Sequence, residues 1–431
     1  MTSIKISKFL AIVLVMLIIF PFNTIANQND DKEINFSEPK EVQGGLYTSG
    51  EGDDDDICLF GQHMIARSND KGHNWSYDVL EGDYESCESY SRFDIENGII
   101  YRIMWCRDLD ENQEEIFFLR SEDRGDSWSD PIKISSLKGT SDGFIGINVI
   151  QDYIFVYFWD QDPHTNTADV IVARSTDGGE TWSSAKACSK IAMTDPLPNN
   201  IVYKDGKLYL TCYTSLRNIE DIKTIIAVSD DMGETWEKNV IDKGGFNPII
   251  GVGRNYLYLT FLRMDGIYFT RSVNGEDWST PVKIGEFIDH TDPTIFHSMV
   301  VKSNLIFVSY LQYEVVEGTK IYELKMKYSK DHGVTWHSID SPTGLEGNSM
   351  SPILFINDDI LYFSWTFTGE GGWTTNRYTT YTRSADISDL QTTENGSQDS
   401  PGYPITVIIF SIGVSFILIK WRRYSMRKKS S

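Results

Sequence analysis

An eight-residue frame that begins with Ser and ends with Trp constrains the fold of this chain more than any other feature. It reads STDGGETW at 175–182 and recurs as SNDKGHNW, SEDRGDSW, SDDMGETW and SKDHGVTW. A shortened copy at 272–278 has Asn274 in place of the Asp, and a worn copy at 384–388 lacks the Trp. The copies recur about every 53 residues, a period typical of solenoids, propellers and arrays. The fixed positions of the five full copies are Ser68, Asp70, Gly72 and Trp75; Ser121, Asp123, Gly125 and Trp128; Ser175, Asp177, Gly179 and Trp182; Ser229, Asp231, Gly233 and Trp236; and Ser329, Asp331, Gly333 and Trp336.

A second pattern runs in step with the frames. Apolar, aromatic-rich runs such as IFVYFW (154–159) and LYLTCY (208–213) have large residues at both parities, which is typical of strands covered on both faces. The second residue of each run lies 20 to 22 residues before the next frame Ser, or 14 residues before it in the shortened unit. A poorer run, Leu46-Tyr47-Thr48, precedes the first frame and predicts a seventh unit that begins near Ile34.

Each repeat predicts four antiparallel strands, which is the composition of one propeller blade. In the unit around Ser175 these are an inner strand (143–152), the aromatic strand (153–159), a third strand that ends at the frame, and an edge strand that begins at Trp182. The 362 residues from Ile34 to Asn395 fit seven units of about 53 residues, whereas six units would need nearer 60 residues each. We therefore expect an all-β, seven-bladed β-propeller, with six blades as the alternative.

The fixed residues of the frame are those that a tight turn between the third and fourth strands requires. Asp and Ser side chains bond to nearby backbone N–H groups, and Gly adopts a positive φ without steric cost. The Trp offers a large apolar surface that can anchor the turn between blades. We therefore expect the Asp residues of the frames to be structural rather than catalytic.

Both ends of the chain have the composition of targeting segments. Lys5 and Lys8 precede an apolar run at 9–22, as in a signal peptide. The apolar run at 405–419 has aromatic flanks and six basic residues after it, which favours one membrane-spanning helix with the tail in the cytoplasm. The expected location is the plasma membrane, as a single-pass type I protein with an extracellular ectodomain. The predicted segments are a signal peptide (1–26), a propeller ectodomain (27–391), a polar stalk (392–402), a transmembrane helix (403–421) and a basic tail (422–431).

The charge of the predicted ectodomain limits its partners. It contains 62 acidic and 31 basic residues, a net charge of −31. Such a surface repels nucleic acid and anionic lipid, so the expected partner is an extracellular glycan or protein. Five cysteines are too few for a disulfide scaffold. Cys87 with Cys106, and Cys188 with Cys212, are near enough in sequence to bridge neighbouring strands.

The loops that leave the aromatic strands are expected on the face opposite the frames, and they supply the candidate site. Guanidinium groups for a carboxylate, a carboxylic acid and a nucleophile are the groups that hydrolysis of an acidic sugar requires. The run from Asp53 to Asp56 is assigned to the first of these loops and offers carboxylate oxygens to Ca²⁺; no other cofactor is expected. The catalytic candidates are Asp160, Arg217, Arg263, Tyr313 and Glu314, the ligand-binding candidates are Arg107, Asp108, Trp373 and Arg377, and the metal-binding candidates are Asp53, Asp54, Asp55 and Asp56.

The frame S-x-D-x-G-x-x-W resembles the Asp-box, or BNR, repeat of the sialidase superfamily of propellers, and the resemblance covers about 36–390. It implies a propeller whose boxes lie on the face away from the ligand site. For sialidases it also implies an arginine triad, an Asp acid/base, and a Tyr nucleophile assisted by Glu, with the first Arg in an F/Y-R-I-P motif before the first box. Here no such motif precedes Ser68, and the nearest string, 101–104, follows the first box and lacks the Pro.

Three functions are compatible with these patterns. A cell-surface propeller that binds glycan or protein ligands through its charged loops is favoured, because Asp boxes also occur in propellers that are not hydrolases, such as sorting receptors. The first alternative is a glycoside hydrolase of the exo-alpha-sialidase type that acts on acidic sugars. The second alternative is a non-catalytic surface scaffold.

Overall fold

The computed structural model describes the central part of the chain in thirteen ranges. Across these ranges there is no helix with the length and hydrophobicity needed to span a bilayer. The predicted signal peptide, stalk, transmembrane helix and tail fall on residues outside them. The ranges are 34–53, 56–61, 64–80, 87–108, 113–136, 145–162, 167–189, 196–214, 222–241, 244–287, 297–316, 319–369 and 378–390.

The described residues form seven four-stranded antiparallel sheets, followed by one short 3-10 turn at Ser388–Leu390. The strands of blades 1 to 3 are β2 (Tyr47–Asp53), β3 (Asp56–Gly61), β4 (Met64–Ser68) and β5 (Ser76–Val79); β6 (Cys87–Glu96), β7 (Ile99–Asp108), β8 (Gln113–Ser121) and β9 (Ile132–Ser136); and β10 (Ile145–Ile150), β11 (Tyr153–Asp162), β12 (Thr167–Ser175) and β13 (Ser183–Ser189). The strands of blades 4 and 5 are β14 (Pro196–Lys204), β15 (Lys207–Thr214), β16 (Thr224–Ser229) and β17 (Glu237–Ile241); and β18 (Phe246–Val252), β19 (Leu257–Arg263), β20 (Gly266–Ser272) and β21 (Val282–Glu286). The strands of blades 6 and 7 are β22 (His297–Lys302), β23 (Leu305–Val316), β24 (Thr319–Ser329) and β25 (His337–Ile339); and β26 (Asn348–Asn357), β27 (Ile360–Gly369), β28 (Thr379–Asp386) and β1 (Lys40–Val42).

The first strands of successive blades line the axis of a closed ring. Strand β2 contacts β6, β6 contacts β10, and the series continues through β14, β18 and β22 to β26, which contacts β2 again. The prediction of seven four-stranded blades is therefore confirmed, and the six-bladed alternative is wrong.

The ring is closed by pairing the two ends of the propeller. Blade 7 has the order β1-β28-β27-β26, with Lys40 opposite Thr382 and Val42 opposite Thr380. The amino-terminal strand thus takes the place of the edge strand that follows the box in every other blade. This accounts for the worn seventh box: β1 fills the edge position of blade 7, and the described residues after β28 end in the 3-10 turn at Ser388–Leu390. The prediction that a unit begins near Ile34 was therefore wrong: blade 1 begins with β2 at Tyr47.

The register of blade 1 also differs from the prediction. Tyr47 lies on the innermost strand, whereas the second strand is β3, which contains a single aromatic residue, Phe60. Because β3 is short and has only one aromatic residue, the run around Tyr47 was mistaken for the second strand of the blade. As a result Asp53 ends β2 and Asp56 begins β3, so these two residues flank the turn between the first two strands. Asp54 and Asp55 lie outside the described residues. That turn is on the same edge as the boxes, because the first and third strands of a blade end at the same edge. The assignment of Asp53 and Asp56 to the opposite face was therefore wrong.

The apolar core lies between adjacent blades, and the box Trp residues close its outer part. Trp182 of blade 3 packs edge-on against Phe118 of blade 2, with ring centroids 5.2 Å apart. Trp336 of blade 6 packs in the same way against Phe269 of blade 5, at 5.0 Å. The expected role of these residues as anchors between blades is therefore confirmed.

Candidate functional site

The hydrogen bonds of the boxes define a structural face of the propeller. In blade 3, the Ser175 hydroxyl donates to Asp177 Oδ1 over 2.8 Å and accepts from the Gly179 N–H over 2.9 Å. Asp177 also accepts from the N–H and the hydroxyl of Thr181, at 2.9 and 2.6 Å. The bonds from Thr181 and Ser175 lower the pKa of Asp177 to about 2. Every oxygen of this carboxylate is engaged within its own turn, as expected for a structural residue.

Glycine at the fifth position of the box is required by both backbone conformation and packing. Gly179 has a φ of 96°, which favours glycine. A Cβ atom at this position would lie 2.1 Å from the ring of Phe118 in the neighbouring blade. The residue before it, Gly178, has a φ of 74°. Each box turn therefore allows close contact between its backbone and the preceding blade.

An arginine immediately before the box Ser links neighbouring blades, and our sequence interpretation missed it. Arg120 donates to the carbonyl of Gly178 over 2.9 Å, Arg174 to that of Met232 over 2.9 Å, and Arg271 to that of His332 over 2.8 Å. Each acceptor lies in the box of the next blade. The sequence feature that could have indicated these arginines is the dipeptide Arg-Ser, which recurs at the start of the boxes. We call the side chains of Arg120, Arg174 and Arg271 the arginine clasps; Arg67 and Arg383 stand at the same sequence position but bond to other groups.

The opposite edge of the ring is uneven in height. From the box Ser to the end of the hairpin between the second and third strands, blade 1 has 4 paired positions, blade 5 has 7 and blade 6 has 11. At about 3.4 Å per residue, the hairpin of blade 6 stands roughly 13 Å taller than that of blade 5. We call this edge the variable face.

The predicted catalytic and ligand-binding residues within the described ranges are at the variable face, but on different blades. Asp160 is near the end of β11 in blade 3, and Arg263 ends β19 in blade 5. Tyr313 and Glu314 lie on the tall hairpin of blade 6, opposite Tyr322 and Ile321. The remaining candidates are Arg107 and Asp108, which end β7 of blade 2, and Arg217, Trp373 and Arg377, which lie outside the described residues.

Arg263 belongs to a cluster of charged and aromatic side chains on blade 5. Its guanidinium lies 4.1 Å from the ring centroid of Tyr268, and its Nε donates to the carbonyl of Gly244 over 3.2 Å. Asp265 accepts from the Tyr268 hydroxyl and from Lys283, at 2.9 and 2.6 Å. Partial burial acts to raise the pKa of Asp265, but these two bonds outweigh it and the pKa is lowered. The cluster therefore presents an ionised, rigidly held surface at the variable face.

Asp160 faces a second carboxylate. It lies directly opposite Asp169 across strands β11 and β12, and residues directly opposite each other in an antiparallel pair project from the same side of the sheet. Lys186 Nζ lies 2.6 Å from Asp169 Oδ2 and compensates part of this negative charge. The arrangement supplies two carboxylates and an ammonium group to one side of blade 3.

Tyr313 is buried, with 6% of its surface exposed. Its ring lies 5.6 Å from that of Tyr322 on the neighbouring strand. It packs as part of the hairpin wall between blades 6 and 7, since Tyr322 borders the core cluster that these two blades share.

A carboxyl pair near the axis, formed by the half-buried Glu51 and the buried Asp94, was not predicted. Glu51 and Asp94 lie on the innermost strands of blades 1 and 2 and are hydrogen bonded to each other. Glu51 also accepts from the Ile95 N–H over 2.9 Å, and Asp94 accepts from the Val149 N–H of blade 3 over 2.5 Å. Burial raises the pKa of both groups, and the nearby charge of Asp94 raises that of Glu51 further. The pair thus fastens three blades at the axis. The sequence feature that could have indicated the pair is an acidic residue within each of two inner strands.

On the box side, a cleft of about 1120 Å³ opens between blades 1 and 2. Its charged groups neutralise one another: Arg67 pairs with Asp78 at 2.6 Å and with Asp126 at 2.7 Å, and Asp56 pairs with Arg124. One of the four carboxylates that were predicted to bind Ca²⁺, that of Asp56, is therefore already paired with an arginine. Within the described part of the chain, no group of three or more metal-binding side chains comes together.

The BNR/Asp-box repeat family matches residues 173–184, and no curated protein sequence matches the chain significantly. Similar solved structures include the phage phi92 endosialidase, with 10% identity, a TM-score of 0.47, and 86% of this chain and 71% of the other covered. The Trypanosoma rangeli sialidase is 13% identical with a TM-score of 0.46, and the match covers 83% of this chain and 56% of the other. An alpha-L-arabinanase of Penicillium chrysogenum is 15% identical with a TM-score of 0.44, and the match covers 70% of this chain and 94% of the other. With its hydrogen-bonded boxes and seven sheets, the chain is a seven-bladed β-propeller that carries BNR/Asp-box repeats.

Proposed function

We propose that this propeller binds glycan or protein ligands through its variable face at a cell surface. The observation that supports the proposal is the contrast between the two faces. The box turns repeat one hydrogen-bond pattern, and their arginines are committed to neighbouring blades. The hairpins of the opposite face differ from blade to blade in length and composition. Loops that vary on a rigid scaffold are where binding residues concentrate.

An acidic glycan is the ligand that the described side chains fit best. The blade 5 cluster places the Arg263 guanidinium on the ring of Tyr268 and holds Lys283 beside Asp265. An arginine matches the geometry of a sugar carboxylate, and an aromatic ring offers an apolar surface with a polar end. These positive groups stand out on an otherwise strongly acidic chain.

The test compares two arginines of the same blade on opposite faces. Arg263 stacks on Tyr268 at 4.1 Å at the variable face, whereas Arg271 stacks on Tyr256 at 4.7 Å at the box face. Arg263→Ala is expected to weaken binding at least tenfold on an array of sialylated, uronate-containing and neutral glycans. Arg271→Ala is expected to keep the affinity of the unmodified protein. Equal loss in both variants, or no binding by the unmodified protein, would contradict the proposal.

Hydrolysis of acidic sugars is the second candidate, and the carboxylates of blade 3 favour it. Asp160 and Asp169 project from one side of the same sheet, and glycoside hydrolysis requires two carboxylates or a carboxylate with another nucleophile. The measurement is release of a fluorophore from sialosides and a wider panel of glycosides. Turnover that Asp160→Asn abolishes would establish an enzyme, and binding without turnover would leave the ligand-binding proposal in place.

We also propose that 403–421 anchors the protein in the plasma membrane. The support is the apolar run at 405–419 with six basic residues after it. A chain truncated after residue 402 should be released into the medium, whereas the full chain should resist extraction by alkaline carbonate. Retention of the truncated chain in the membrane fraction would contradict this anchor.

A further inference from the structure

Two cysteine thiols meet at the interface of blades 3 and 4. Cys188 lies on β13, the edge strand of blade 3, and Cys212 lies on β15, the second strand of blade 4. Both are buried in one apolar cluster shared by the two blades, with 1% and 0% of their surfaces exposed. Their side chains are hydrogen bonded to each other. The sequence suggested a bridge between neighbouring strands; the two residues instead face each other across neighbouring blades.

This pair differs from the other described cysteines. Cys106 is in a disulfide. Cys58 is a buried thiol in blade 1 that packs among Phe60, Ile65 and Phe93. Cys188 and Cys212 lie on two separate blades with their thiols in contact, and two thiols must be brought this close before a disulfide can form.

We propose that Cys188 and Cys212 are a covalent cross-linking site that closes to a disulfide between blades 3 and 4. The oxidant is a low-molecular-weight disulfide of the glutathione class. The Cys188 thiolate attacks one sulfur of this reagent and forms a mixed disulfide, releasing one reagent thiolate. The Cys212 thiolate then attacks the Cys188 sulfur and releases the second. Two electrons and the two thiol protons pass to the reagent, which leaves as two thiols.

The surroundings of the two thiols fix this order of attack. The hydrogen bond from Cys212 lowers the pKa of Cys188, whereas burial raises the pKa of Cys212. The thiolate is the attacking species, so Cys188 is the first nucleophile. Cys188 is also one residue from the end of an edge strand, where a strand opens more readily than in the middle of a sheet.

Peptide mapping of the full chain tests the proposal without any substitution. The protein is incubated either with glutathione disulfide or with dithiothreitol, denatured, alkylated and digested with trypsin. After oxidation we expect peptide 187–190 joined to peptide 208–217; after reduction we expect the two peptides separate and alkylated. Cys58 is expected to be alkylated in both samples. Alkylation of Cys188 and Cys212 in the oxidised sample would overturn the proposal.

Two variants control for random oxidation. Cys58→Ser removes a buried thiol of another blade and should leave the cross-linked peptide unchanged. Cys188→Ser should abolish it and leave Cys212 fully alkylated. A cross-link between Cys58 and either of the two residues in the oxidised wild-type protein would also contradict the proposal, because it would arise from unfolded chains.

Discussion

Carboxylates in this propeller respond to pH in opposite directions, according to their surroundings. The boxes hold their Asp residues ionised: hydrogen bonds lower the pKa of Asp70, Asp123 and Asp231 to about 2, as they do for Asp177. These groups stabilise the fold above the pKa of the unfolded chain, near 4, and the stabilisation is lost as the pH falls towards 2. The axial Glu51 has a raised pKa, so its contribution is present at low pH and is lost as the pH rises.

Glu51→Gln is expected to make the stability of the protein less dependent on pH. The amide retains an oxygen that can accept from the Ile95 N–H but cannot ionise, so the cost of a buried charge beside Asp94 disappears. We expect the melting temperature of the variant to fall less than that of the wild type between pH 5 and pH 8. Thermal unfolding at several pH values measures this, with Glu122→Gln, an exposed residue, as the control. An unchanged pH dependence would contradict the raised pKa.

Asp177→Asn tests the charge of a box without removing its shape. The shortened box already contains an Asn, and Asn274 Oδ1 accepts from the N–H of Asp277 over 2.9 Å. The variant should fold but melt at a lower temperature than the wild type at pH 5. This difference should vanish near pH 2, where the wild-type carboxylate becomes protonated. A difference that persisted below pH 2 would show that shape rather than charge determines the role of Asp177.

At the scale of elements, the box Trp residues hold turns against the preceding blade. Trp182 packs on Phe118 and donates its Nε1–H to the Gly179 carbonyl over 2.8 Å. Because the side chain is half-buried, Trp182→Ala should cost about 2 kcal/mol, less than the 3–5 kcal/mol typical of a fully buried aromatic residue. Urea unfolding measures the change. The exposed Val334, mutated to Ala, should alter the unfolding free energy by less than about 0.5 kcal/mol.

The arginine clasps give a second prediction at this scale. Arg174 donates to the Met232 carbonyl and pairs with the exposed Glu234 at 3.1 Å. Arg174→Met keeps the packing of the side-chain stem but removes both contacts, and should cost about 1–2 kcal/mol of unfolding free energy. Glu234→Gln removes only the exposed ion pair and should cost about 0–0.5 kcal/mol. Equal effects in urea unfolding would place the energy in the ion pair instead of the backbone hydrogen bond.

The elements that the sequence predicted are those whose residues carry local requirements. The box could be assigned to a turn because Asp177 and Gly179 satisfy hydrogen-bond and φ demands within that turn. Strand β1 could not be assigned to blade 7, because its three residues, KEV, contain no pattern and its partner lies at the other end of the propeller. Asp53 and Asp56 were misplaced for a related reason: β3 contains only one aromatic residue, whereas the other second strands were recognised by several.

The candidate site was predicted only as far as its edge of the ring. A repeating register determines which loops share a face, and Asp160, Arg263 and Tyr313 do lie opposite the boxes. Which side chains meet depends on contacts between blades, and a one-dimensional pattern does not encode them. The pair of Glu51 and Asp94 shows this, since the two residues are 43 positions apart and touch only because adjacent inner strands converge at the axis.

At the scale of the whole molecule, the prediction concerns closure of the ring. Val42 is 1% exposed and packs in a core cluster with residues of blades 1 and 7. Val42→Asp would bury a charge in that cluster and should cost at least about 3 kcal/mol. Its neighbour Glu41 is exposed, and Glu41→Lys should change the unfolding free energy by less than about 0.5 kcal/mol. Similar urea midpoints for the two variants would show that β1 does not hold the ring closed.

The pairing of β1 with β28 also determines when the ring can close during synthesis of the chain. Thr380 donates to the carbonyl of Gly45, 335 positions earlier in the chain, so β1 has no partner until all seven blades have been synthesised. At translation rates of about 5–20 residues per second, this delay is roughly 20–70 s. Throughout that interval β1 and the open edge of β28 lack the backbone hydrogen bonds that they make in the closed ring, and unpaired strand edges favour aggregation.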